Sequence, residues 1–429
     1  MRFIRVMAGL VSIGFLGAAV ASEVPVTAGL LMQGFPADKN AQVTSRNFME
    51  PPYSRWGFQH IRELQPTREV YKGTLPSSRL ESATLDLESL NFDLAGGRQV
   101  DLTTWMEEAS TDAFVVLHQG KVVYEKYLNG MQAHSQHQMF SATKSFVSTL
   151  TLLLIEEGLI EPDRLVRSYL PELSDSAFGN ATVQQVLDMT VSLKFNEDYT
   201  DRDADIWKYG YVFSISGKAP EEYSGATTIY DYLPTLNKGK LEHGNAFHYV
   251  TPNTDVLAWL NSRVSGKSLS SLISERFWQR LGVERDGYIW LEGNGVEMAG
   301  GGLNVTARDA ARFGQMVLAG GRYNNQQIIP ESVASRILKS GNPDTFSRFH
   351  KDPWYTDVGY AYHDMWWTFN NPHKAVSAIG VYGQFIYIDP VAEMVVVKQS
   401  SHPEAEGVAN EVDGPQIWQQ IAEHLLSLK

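Results

Sequence analysis

The alternation of apolar and polar residues predicts two β-hairpins, one in the first third of the chain and one close to its end. Residues 114–117 and 122–127 are rich in valine and aromatic residues, and they flank a polar segment that contains Gly120. Residues 383–388 and 393–398 flank the sequence Asp-Pro-Val-Ala in the same way. Both ends of the chain are therefore expected to contribute strands.

Between the two hairpins, apolar residues recur at helical spacing. A strongly apolar helix is predicted from Ser141 to about Gly158. Other segments with helical spacing are 182–190, 256–264, 307–318 and the C-terminal 415–428. This order predicts an α+β fold, in which an antiparallel sheet from both chain ends is flanked by helices, with an all-helical region inserted at about residues 160–300.

Residues 22–98 are broken into short pieces by prolines and glycines, as in Gly34-Phe35-Pro36 and Pro51-Pro52. This composition predicts an N-terminal extension that packs on the main domain, which would comprise residues 99–429. A lid over a functional site is the alternative interpretation of the same segment.

Composition and charge exclude several classes of protein. The chain has 429 residues, of which 43% are hydrophobic and 20% charged, as is typical of a globular protein. The formal net charge of -13 argues against nucleic acid or an anionic membrane surface as a partner. Because the chain contains no cysteine, disulfides, thiolate metal sites and cysteine nucleophiles are impossible.

Residues 1–21 have the pattern of a secretory signal peptide. Arg2 and Arg5 precede an apolar run over residues 6–20, and the sequence Ala-Val-Ala supplies the small residues of a cleavage site. The alternative is an uncleaved anchor, but the run is shorter than the roughly 20 residues of a membrane span, and no second candidate span follows. We therefore expect a periplasmic or secreted protein.

The predicted helix at Ser141 carries the most distinctive candidate chemistry. Ser141 and Lys144 are three residues apart and therefore lie on one helical face. The start of a helix also provides a positive field, and a serine alkoxide needs such a field and a nearby proton acceptor. A Ser-x-x-Lys pattern is short enough to occur by chance, so a plain N-cap and a solvated lysine are the alternative.

Other catalytic and cofactor motifs are absent from the sequence. It contains no Gly-x-Ser-x-Gly elbow, no His-Glu-x-x-His pair and no dinucleotide-binding glycine pattern after a strand. His134 and His137 lack a third ligand nearby, and the glycines at 300–302 lack a P-loop lysine. The sequence therefore predicts neither a metal site nor a cofactor.

Four segments occur in the order found in serine β-lactamase-like enzymes. They are 140–145, which contains Ser-x-x-Lys, 249–255, 300–309 and 380–384. Over roughly residues 100–425 the chain resembles this superfamily, which includes the penicillin-binding proteins. It most closely resembles the branch of class C β-lactamases, related esterases and 6-aminohexanoate-dimer (nylon-oligomer) hydrolases, the last above all. The resemblance implies a site between an antiparallel sheet with its helices and an all-helical part.

The resemblance also implies hydrolysis through a covalent acyl-enzyme. Ser141 would be the nucleophile, and Lys144 and Tyr249 would exchange its proton. Either Lys144 is the base, with a pKa below its usual value of about 10.4, or a charged Lys144 lowers the pKa of Tyr249; the sequence leaves both open. The oxyanion donors would be the backbone N–H groups of Ser141 and Val381, with Gln384 as the alternative to Val381.

The candidate substrate contacts depart from those of the resembled families. Ala378 stands where lactamases carry the lysine of Lys-Thr-Gly, and Thr251 where they carry asparagine, so β-lactam hydrolysis is not favoured. Tyr199 matches a substrate-contacting tyrosine of nylon-oligomer hydrolases, but Gly210 replaces their aspartate for a substrate ammonium. The further candidates are Trp366, Tyr382 and Gln384, and core packing is the alternative for Tyr199 and Trp366.

Three functions fit these observations. The favoured hypothesis is a serine hydrolase that cleaves a small-molecule amide or carboxylic ester. The second is a penicillin-recognising peptidoglycan carboxypeptidase or β-lactamase, and the missing Lys-Thr-Gly argues against it. The third is a non-enzymatic binding relative, which has no physical need for a buried lysine beside a serine.

Overall fold

The computed structural model describes residues 28–215, 223–348, 355 and 358–428. The predicted signal peptide, residues 1–21, lies outside the described residues. No helix in the described part of the chain is long and apolar enough to cross a membrane.

The strands form one large and one smaller antiparallel sheet, besides two short ribbons. The seven-stranded sheet has the order β11-β12-β13-β14-β15-β4-β5, and the four-stranded sheet has the order β1-β7-β8-β6. The strands are β1 (Thr67–Val70), β2 (Asn91–Asp93), β3 (Gln99–Asp101), β4 (Thr111–His118), β5 (Lys121–Tyr127), β6 (His137–Gln138), β7 (Gly287–Trp290), β8 (Leu303–Val305), β9 (Arg322–Tyr323), β10 (Gln326–Gln327), β11 (Tyr360–His363), β12 (Trp366–Phe369), β13 (Val376–Gly380), β14 (Gln384–Asp389) and β15 (Met394–Ser400).

The helices are concentrated between β5 and β11. They are α1 (Ser54–Gly57), α2 (Ile61–Leu64), α3 (Leu102–Glu108), α4 (Thr143–Glu156), α5 (Val183–Leu187), α6 (Asp205–Val212), α7 (Ile229–Tyr232), α8 (Pro252–Ser265), α9 (Leu269–Ile273), α10 (Gln279–Leu281), α11 (Ala307–Leu318), α12 (Glu331–Ile337), α13 (Pro343–Ser347) and α14 (Gly414–Ser427).

The large sheet is assembled from both ends of the chain, as the hydrophobic pattern predicted. Both predicted hairpins are present, and β15 of the second lies beside β4 of the first, with Val396 opposite Val116. Helix α11 packs on one face of the sheet and α14 on the other, where Trp418 contacts Phe385 with ring centroids 4.7 Å apart. Because both faces are covered, the central strands are apolar on both sides. The predicted α+β fold is confirmed.

Helix α4 is the central helix of the molecule. Its residues from Thr143 to Leu154 are all buried, and it packs against α8 and β13. A helix that is buried all round is enclosed by other elements on every side. Helix α4 therefore holds its first turn, with Lys144, inside the protein.

Residues 28–98 pack against the rest of the chain through three kinds of contact. Strand β1 pairs with β7 in the small sheet. Arg55 forms an ion pair with the buried Asp112 at 3.1 Å. The Phe58 carbonyl accepts a hydrogen bond of 2.9 Å from the Gln138 N–H, three residues before Ser141. This part of the chain thus reaches the immediate surroundings of Ser141.

Candidate active site

Ser141 lies in a tight 3₁₀ turn, Phe140–Ala142, directly before α4. The residue before it, Phe140, has a φ of 43°, a left-handed conformation that is strained for a bulky side chain. The N-cap of α4 is Ala142, so the interpretation of Ser141 as a plain N-cap is wrong. The turn instead presents the Ser141 hydroxyl, with only 8% of the residue exposed, at the edge of a cavity.

The Lys144 ammonium lies against the Ser141 hydroxyl and is buried. Lys144 Nζ is 2.7 Å from Ser141 Oγ and 2.7 Å from the Gly300 carbonyl oxygen. Burial lowers the pKa of Lys144 to about 8, although the negative charges of Glu197 and Asp255 act in the opposite direction. Lys144 is therefore not the solvated lysine of the alternative interpretation, and its proton is easier to remove than that of an ordinary lysine.

Two carboxylates, the half-buried Glu197 and the buried Asp255, complete the surroundings of Lys144. Glu197 accepts hydrogen bonds from the Thr251 N–H at 2.7 Å and from the Tyr199 hydroxyl at 2.8 Å. Asp255 accepts one from the Tyr209 hydroxyl at 3.0 Å. Burial raises the pKa of Asp255 to about 7 and also raises that of Glu197, while the charge of Lys144 opposes both shifts. The two carboxylates therefore tune the protonation of Lys144.

Tyr249 is the third side chain at Ser141. Its ring lies 5.1 Å from Lys144 Nζ and stacks on Trp367, with ring centroids 5.6 Å apart. Burial and the charge of Glu197 raise the pKa of Tyr249 well above its usual value, and a hydrogen bond with the Ser141 side chain opposes this rise. The structure thus brings Ser141, Lys144 and Tyr249 together and keeps the Tyr249 proton in place at neutral pH.

The end of β13 approaches the Ser141 backbone very closely. A Cβ on Gly380 would lie 2.3 Å from the Met139 carbonyl oxygen and 3.0 Å from Ser141 N, so only glycine permits this approach. The Tyr382 N–H donates to the Ala405 carbonyl at 2.8 Å and is therefore occupied. Val381, directly after β13, lines the same cavity as Ser141 and is the candidate second oxyanion donor.

The rings of Phe140 and Tyr382, the two strained residues beside Ser141 and Val381, pack against each other and against Phe58. Tyr382 has a φ of 64°, which is also left-handed. Its ring and that of Phe140 are 5.1 Å apart, and both pack against Phe58, at 5.2 and 4.8 Å respectively. Because Phe58 is fully buried and belongs to the N-terminal extension, that extension helps to hold both sides of the candidate oxyanion site.

A cavity of about 750 Å³ opens over Ser141. Its aromatic wall includes Tyr199, Tyr249, Trp367 and Tyr382. Its acidic residues are Glu50, Glu197, Asp198, Glu404, Glu406 and Glu411. Arg202 is the one lysine or arginine among the described residues that line it. The cavity is of the size that holds a small organic molecule.

Comparison with known proteins shows the family of this chain. A family model for β-lactamase matches residues 102–413. The 6-aminohexanoate-dimer hydrolase of Paenarthrobacter ureafaciens is 33% identical over 379 residues, which cover 87% of this chain and 91% of that protein. The chain belongs to the β-lactamase family. The predicted family and the predicted class of enzyme, a hydrolase, are thereby confirmed.

Solved structures share the fold of this β-lactamase-family chain. One from Bacillus anthracis, itself assigned as a 6-aminohexanoate-dimer hydrolase, is 33% identical, with a TM-score of 0.82 over 91% of this chain and 98% of that chain. The octameric penicillin-binding protein homologue from Pyrococcus abyssi has a TM-score of 0.57 at 17% identity, covering 74% of this chain and 76% of that chain. The second likeness shows the fold alone.

Two of the four predicted substrate-contacting residues line the cavity over Ser141, and two do not. Tyr199 and Tyr382 line it. Gln384 is fully buried, and its amide donates to the backbone carbonyls of Tyr382 and Ser400 at 3.1 and 2.7 Å. Trp366 is also fully buried in the core. The predicted contacts at Gln384 and Trp366 are therefore wrong, and Gln384 serves instead to hold the turn after β13.

Sequence reasoning missed Glu197, Asp255 and Phe58. Glu197 lies two residues before Tyr199, and Asp255 ends the recognised segment 249–255. An acidic residue close to a predicted site residue was therefore the available signal. Phe58 carried no signal, since a phenylalanine in an irregular extension is ordinary packing. Its role depends on which residues it meets in the folded chain.

Proposed function

We propose that this protein is a serine hydrolase that cleaves an amide or carboxylic ester of a small molecule through a covalent acyl-serine intermediate. The observation that carries the proposal is the buried Lys144 Nζ, 2.7 Å from Ser141 Oγ, at a cavity of about 750 Å³. A lysine whose burial lowers its pKa to about 8 is a suitable general base for a serine hydroxyl.

In the acylation step, neutral Lys144 accepts the proton of Ser141 while Ser141 Oγ forms a bond to the substrate carbonyl carbon. The carbonyl electrons move onto oxygen, where the N–H groups of Ser141 and Val381 stabilise the charge. The oxyanion then collapses and the bond to the leaving nitrogen or oxygen breaks. Tyr249 gives its proton to the leaving group and regains one from Lys144.

In deacylation, water takes the place of Ser141 as the nucleophile. Neutral Lys144 accepts a proton from the attacking water, whose oxygen bonds to the acyl carbon. When the second oxyanion collapses, the bond to Ser141 Oγ breaks, and the serine takes its proton back from Lys144. The products are a carboxylic acid and an amine or alcohol, and the protein returns to its starting state.

Two observations favour an ordinary amide or ester over a β-lactam as the substrate. The lysine of Lys-Thr-Gly is replaced by Ala378 in β13, which removes a cation that would anchor a substrate carboxylate. The curated relative that is 33% identical is named for hydrolysis of the 6-aminohexanoate dimer, a linear amide. Family membership supports the hydrolase class, and the proposal extends it to this substrate class.

The proposal is tested by incubating the protein with p-nitrophenyl esters, the 6-aminohexanoate dimer and other short amides, and a chromogenic cephalosporin, followed by intact-protein mass spectrometry. We expect turnover of an ester or amide and an acyl adduct that is absent in Ser141→Ala. An adduct that persists in Ser141→Ala, or no adduct and no turnover with any compound, would overturn the proposal. Turnover of the cephalosporin alone would show instead that the substrates are β-lactams.

We also propose that the protein is exported. The basic start, the apolar run and the Ala-Val-Ala sequence of residues 1–21 support this proposal. Expression of the full chain in a bacterial host should yield periplasmic or secreted protein whose N-terminal sequence begins at Ser22. A chain that stays in the cytoplasm with Met1 intact would contradict it.

A further inference from the structure

Lys398 is a buried lysine to which the proposed mechanism assigns no role. It lies in β15 and is completely buried. Its Nζ donates hydrogen bonds to Asn410 Oδ1 at 2.5 Å and to the Ser400 hydroxyl, and a longer one to the Gly383 carbonyl oxygen at 3.4 Å. Because removing an amine from water is unfavourable, these uncharged oxygens must replace the water that Lys398 loses on folding.

The turn of residues 381–383, which joins β13 to β14, lies between Lys398 and the Ser141 backbone. At its start, a Cβ on Gly380 would lie 3.0 Å from Ser141 N. At its end, a Cβ on Gly383 would lie 2.9 Å from Lys398 Nζ and 2.5 Å from Asn410 Oδ1. The residues that flank Val381 and Tyr382 are therefore in close contact with Ser141 at one end and with Lys398 at the other.

The backbone of this turn needs support from its surroundings. Tyr382 and Gly383 are consecutive left-handed residues, with φ values of 64° and 87°. Such a conformation persists at a bulky residue only where neighbouring groups hold it. The Gln384 amide donates to the carbonyl oxygens of Val381 and Tyr382 at 3.3 and 3.1 Å, and Lys398 donates to that of Gly383. These bonds limit the movement of the turn that carries the Val381 N–H.

We propose that Lys398 is a positioning residue of the candidate oxyanion site, where its amine anchors the turn of residues 381–383 to Asn410 and Ser400 and so directs the Val381 N–H towards the substrate oxyanion. This inference rests on the proposed serine hydrolase function. Lys398 acts through the turn and does not touch the substrate. An oxyanion donor stabilises the transition state more than the bound substrate, so loss of the anchor should lower kcat and leave KM almost unchanged.

The amine of Lys398 can anchor the turn in either protonation state. Burial lowers the pKa of Lys398 to about 7, while the charge of Glu411 acts in the opposite direction. The ammonium has three N–H groups and the neutral amine keeps two, which suffice for Asn410 and Ser400. The pH dependence of catalysis should therefore follow Lys144 alone.

The first test compares Lys398→Met with Asp389→Asn in the full-length protein. Methionine keeps an unbranched apolar side chain in the place of the lysine stem but cannot donate. Asp389 is equally buried and holds the turn at the other end of β14, where it accepts from the Val391 and Ala392 N–H groups at 3.0 and 2.8 Å. For a p-nitrophenyl ester we expect kcat to fall about tenfold or more in Lys398→Met, with KM within about threefold. In Asp389→Asn, kcat should stay close to that of the unchanged protein.

Inhibition by phenylboronic acid is a readout that a mere loss of folded protein does not move. The boron accepts an electron pair from Ser141 Oγ, whose proton passes to Lys144, and the tetrahedral, negatively charged adduct needs the same N–H donors as the oxyanion. The Ki should rise in Lys398→Met by about the factor by which kcat falls. The rise of kcat/KM with pH should stay near pH 8, because Lys144 is unchanged. Thermal unfolding measures the stability of each variant.

Gly383→Ala tests the same contact with Lys398 retained, and it keeps the inference testable if Lys398→Met does not fold. The added Cβ pushes the Lys398 amine and the Asn410 amide away from the turn, so kcat should fall and the Ki of phenylboronic acid should rise. Gly266→Ala is the matched control. Gly266 has a similar φ of 69°, but a Cβ there meets no atom within 4 Å, so this variant has the backbone strain without the clash.

These outcomes separate the inference from the function on which it rests. Unchanged kcat and Ki in folded Lys398→Met or Gly383→Ala would overturn the role of Lys398, and so would equal losses in the two control variants. The acyl adduct on Ser141 would in either case still support the serine hydrolase. Failure of every ester and amide to acylate Ser141 in the unchanged protein would overturn the function itself.

Discussion

Lys144 is the residue whose surroundings decide the chemistry of the site. Burial lowers its pKa to about 8, while burial raises the pKa of Tyr249 well above its usual value. Near neutral pH Tyr249 therefore keeps its proton, and Lys144 is the group that loses its proton as the pH rises through about 8. Of the two roles that the sequence left open, the structure favours Lys144 as the base and Tyr249 as the proton donor.

The pH dependence of the reaction follows from this assignment. Because the base must be unprotonated, kcat/KM for a p-nitrophenyl ester should be low in mild acid and should rise with pH through about 8, the pKa of Lys144. Initial rates between pH 5 and pH 10 test this prediction. A profile that falls as pH rises through this range would contradict it.

Glu197 should control the position of that rise. Its negative charge raises the pKa of Lys144 against the effect of burial. In Glu197→Gln only burial and Asp255 remain, so the pKa of Lys144 should fall and the rise in kcat/KM should move to lower pH. Glu172→Gln is the matched control, since Glu172 pairs with Arg263 on the surface. Equal shifts in both variants, or none in Glu197→Gln, would contradict the prediction.

The errors at Gln384 and Trp366 also belong to the residue scale. Successive side chains of a strand point to opposite faces. Trp366 and Trp367 are neighbours in β12, yet the first lies in the core and the second lines the cavity. The sequence shows the alternation, but it contains no local signal for which face meets the cavity.

At the scale of elements, the contact between the end of β13 and the turn before α4 is the critical one. This contact brings Val381 to Ser141. It is possible because Gly380 has no side chain that would clash with the Met139 carbonyl oxygen. A strand from the C-terminal part of the chain and a helix from its first third thus form one candidate oxyanion site.

Gly380→Ala should separate these two elements. A Cβ 2.3 Å from the Met139 oxygen forces the backbone to shift, so we expect a loss of about 1–3 kcal/mol in the free energy of unfolding. We also expect a fall in kcat of about a hundredfold, as for loss of one oxyanion donor. Urea unfolding and ester hydrolysis measure the two effects.

Gly293→Ala is the matched control for this variant. A Cβ at Gly293 meets no atom within 4 Å, and the residue is exposed. Both activity and stability should stay close to those of the unchanged protein. Full activity in Gly380→Ala would mean that the close approach of β13 has no part in catalysis.

At the scale of the whole molecule, the N-terminal extension supports the site from outside the family domain. The matched family region is residues 102–413, whereas Phe58 lies before it. Phe58 nevertheless packs against Phe140 and Tyr382, the two residues held at positive φ on either side of the candidate oxyanion site. The extension therefore contributes to the geometry of the site as well as to the core.

Phe58→Leu should lower kcat, and the fall should be larger than a loss of stability alone would cause. Loss of part of the aromatic contact should let the two strained residues relax, and we expect kcat to fall about tenfold or more for a small displacement of the oxyanion donors. Phe92→Leu is the control, because Phe92 is equally buried in the extension but packs in the main core. Similar losses of kcat in the two variants, at similar melting temperatures, would contradict a specific role for Phe58.

Local patterns in the sequence determined the hairpins, the central helix, the α+β class and the Ser-x-x-Lys motif of Ser141 and Lys144, whereas Tyr249 was predicted only from the resemblance to a family. The local features depend on periodicity or on a short motif, which neighbouring residues specify. The tertiary structure alone decided the pairing of β15 with β4, the burial that lowers the pKa of Lys144, the carboxylates Glu197 and Asp255 beside it, and the support from Phe58. These features join residues far apart in the chain, and desolvation and packing depend on the enclosed space that only the folded chain creates.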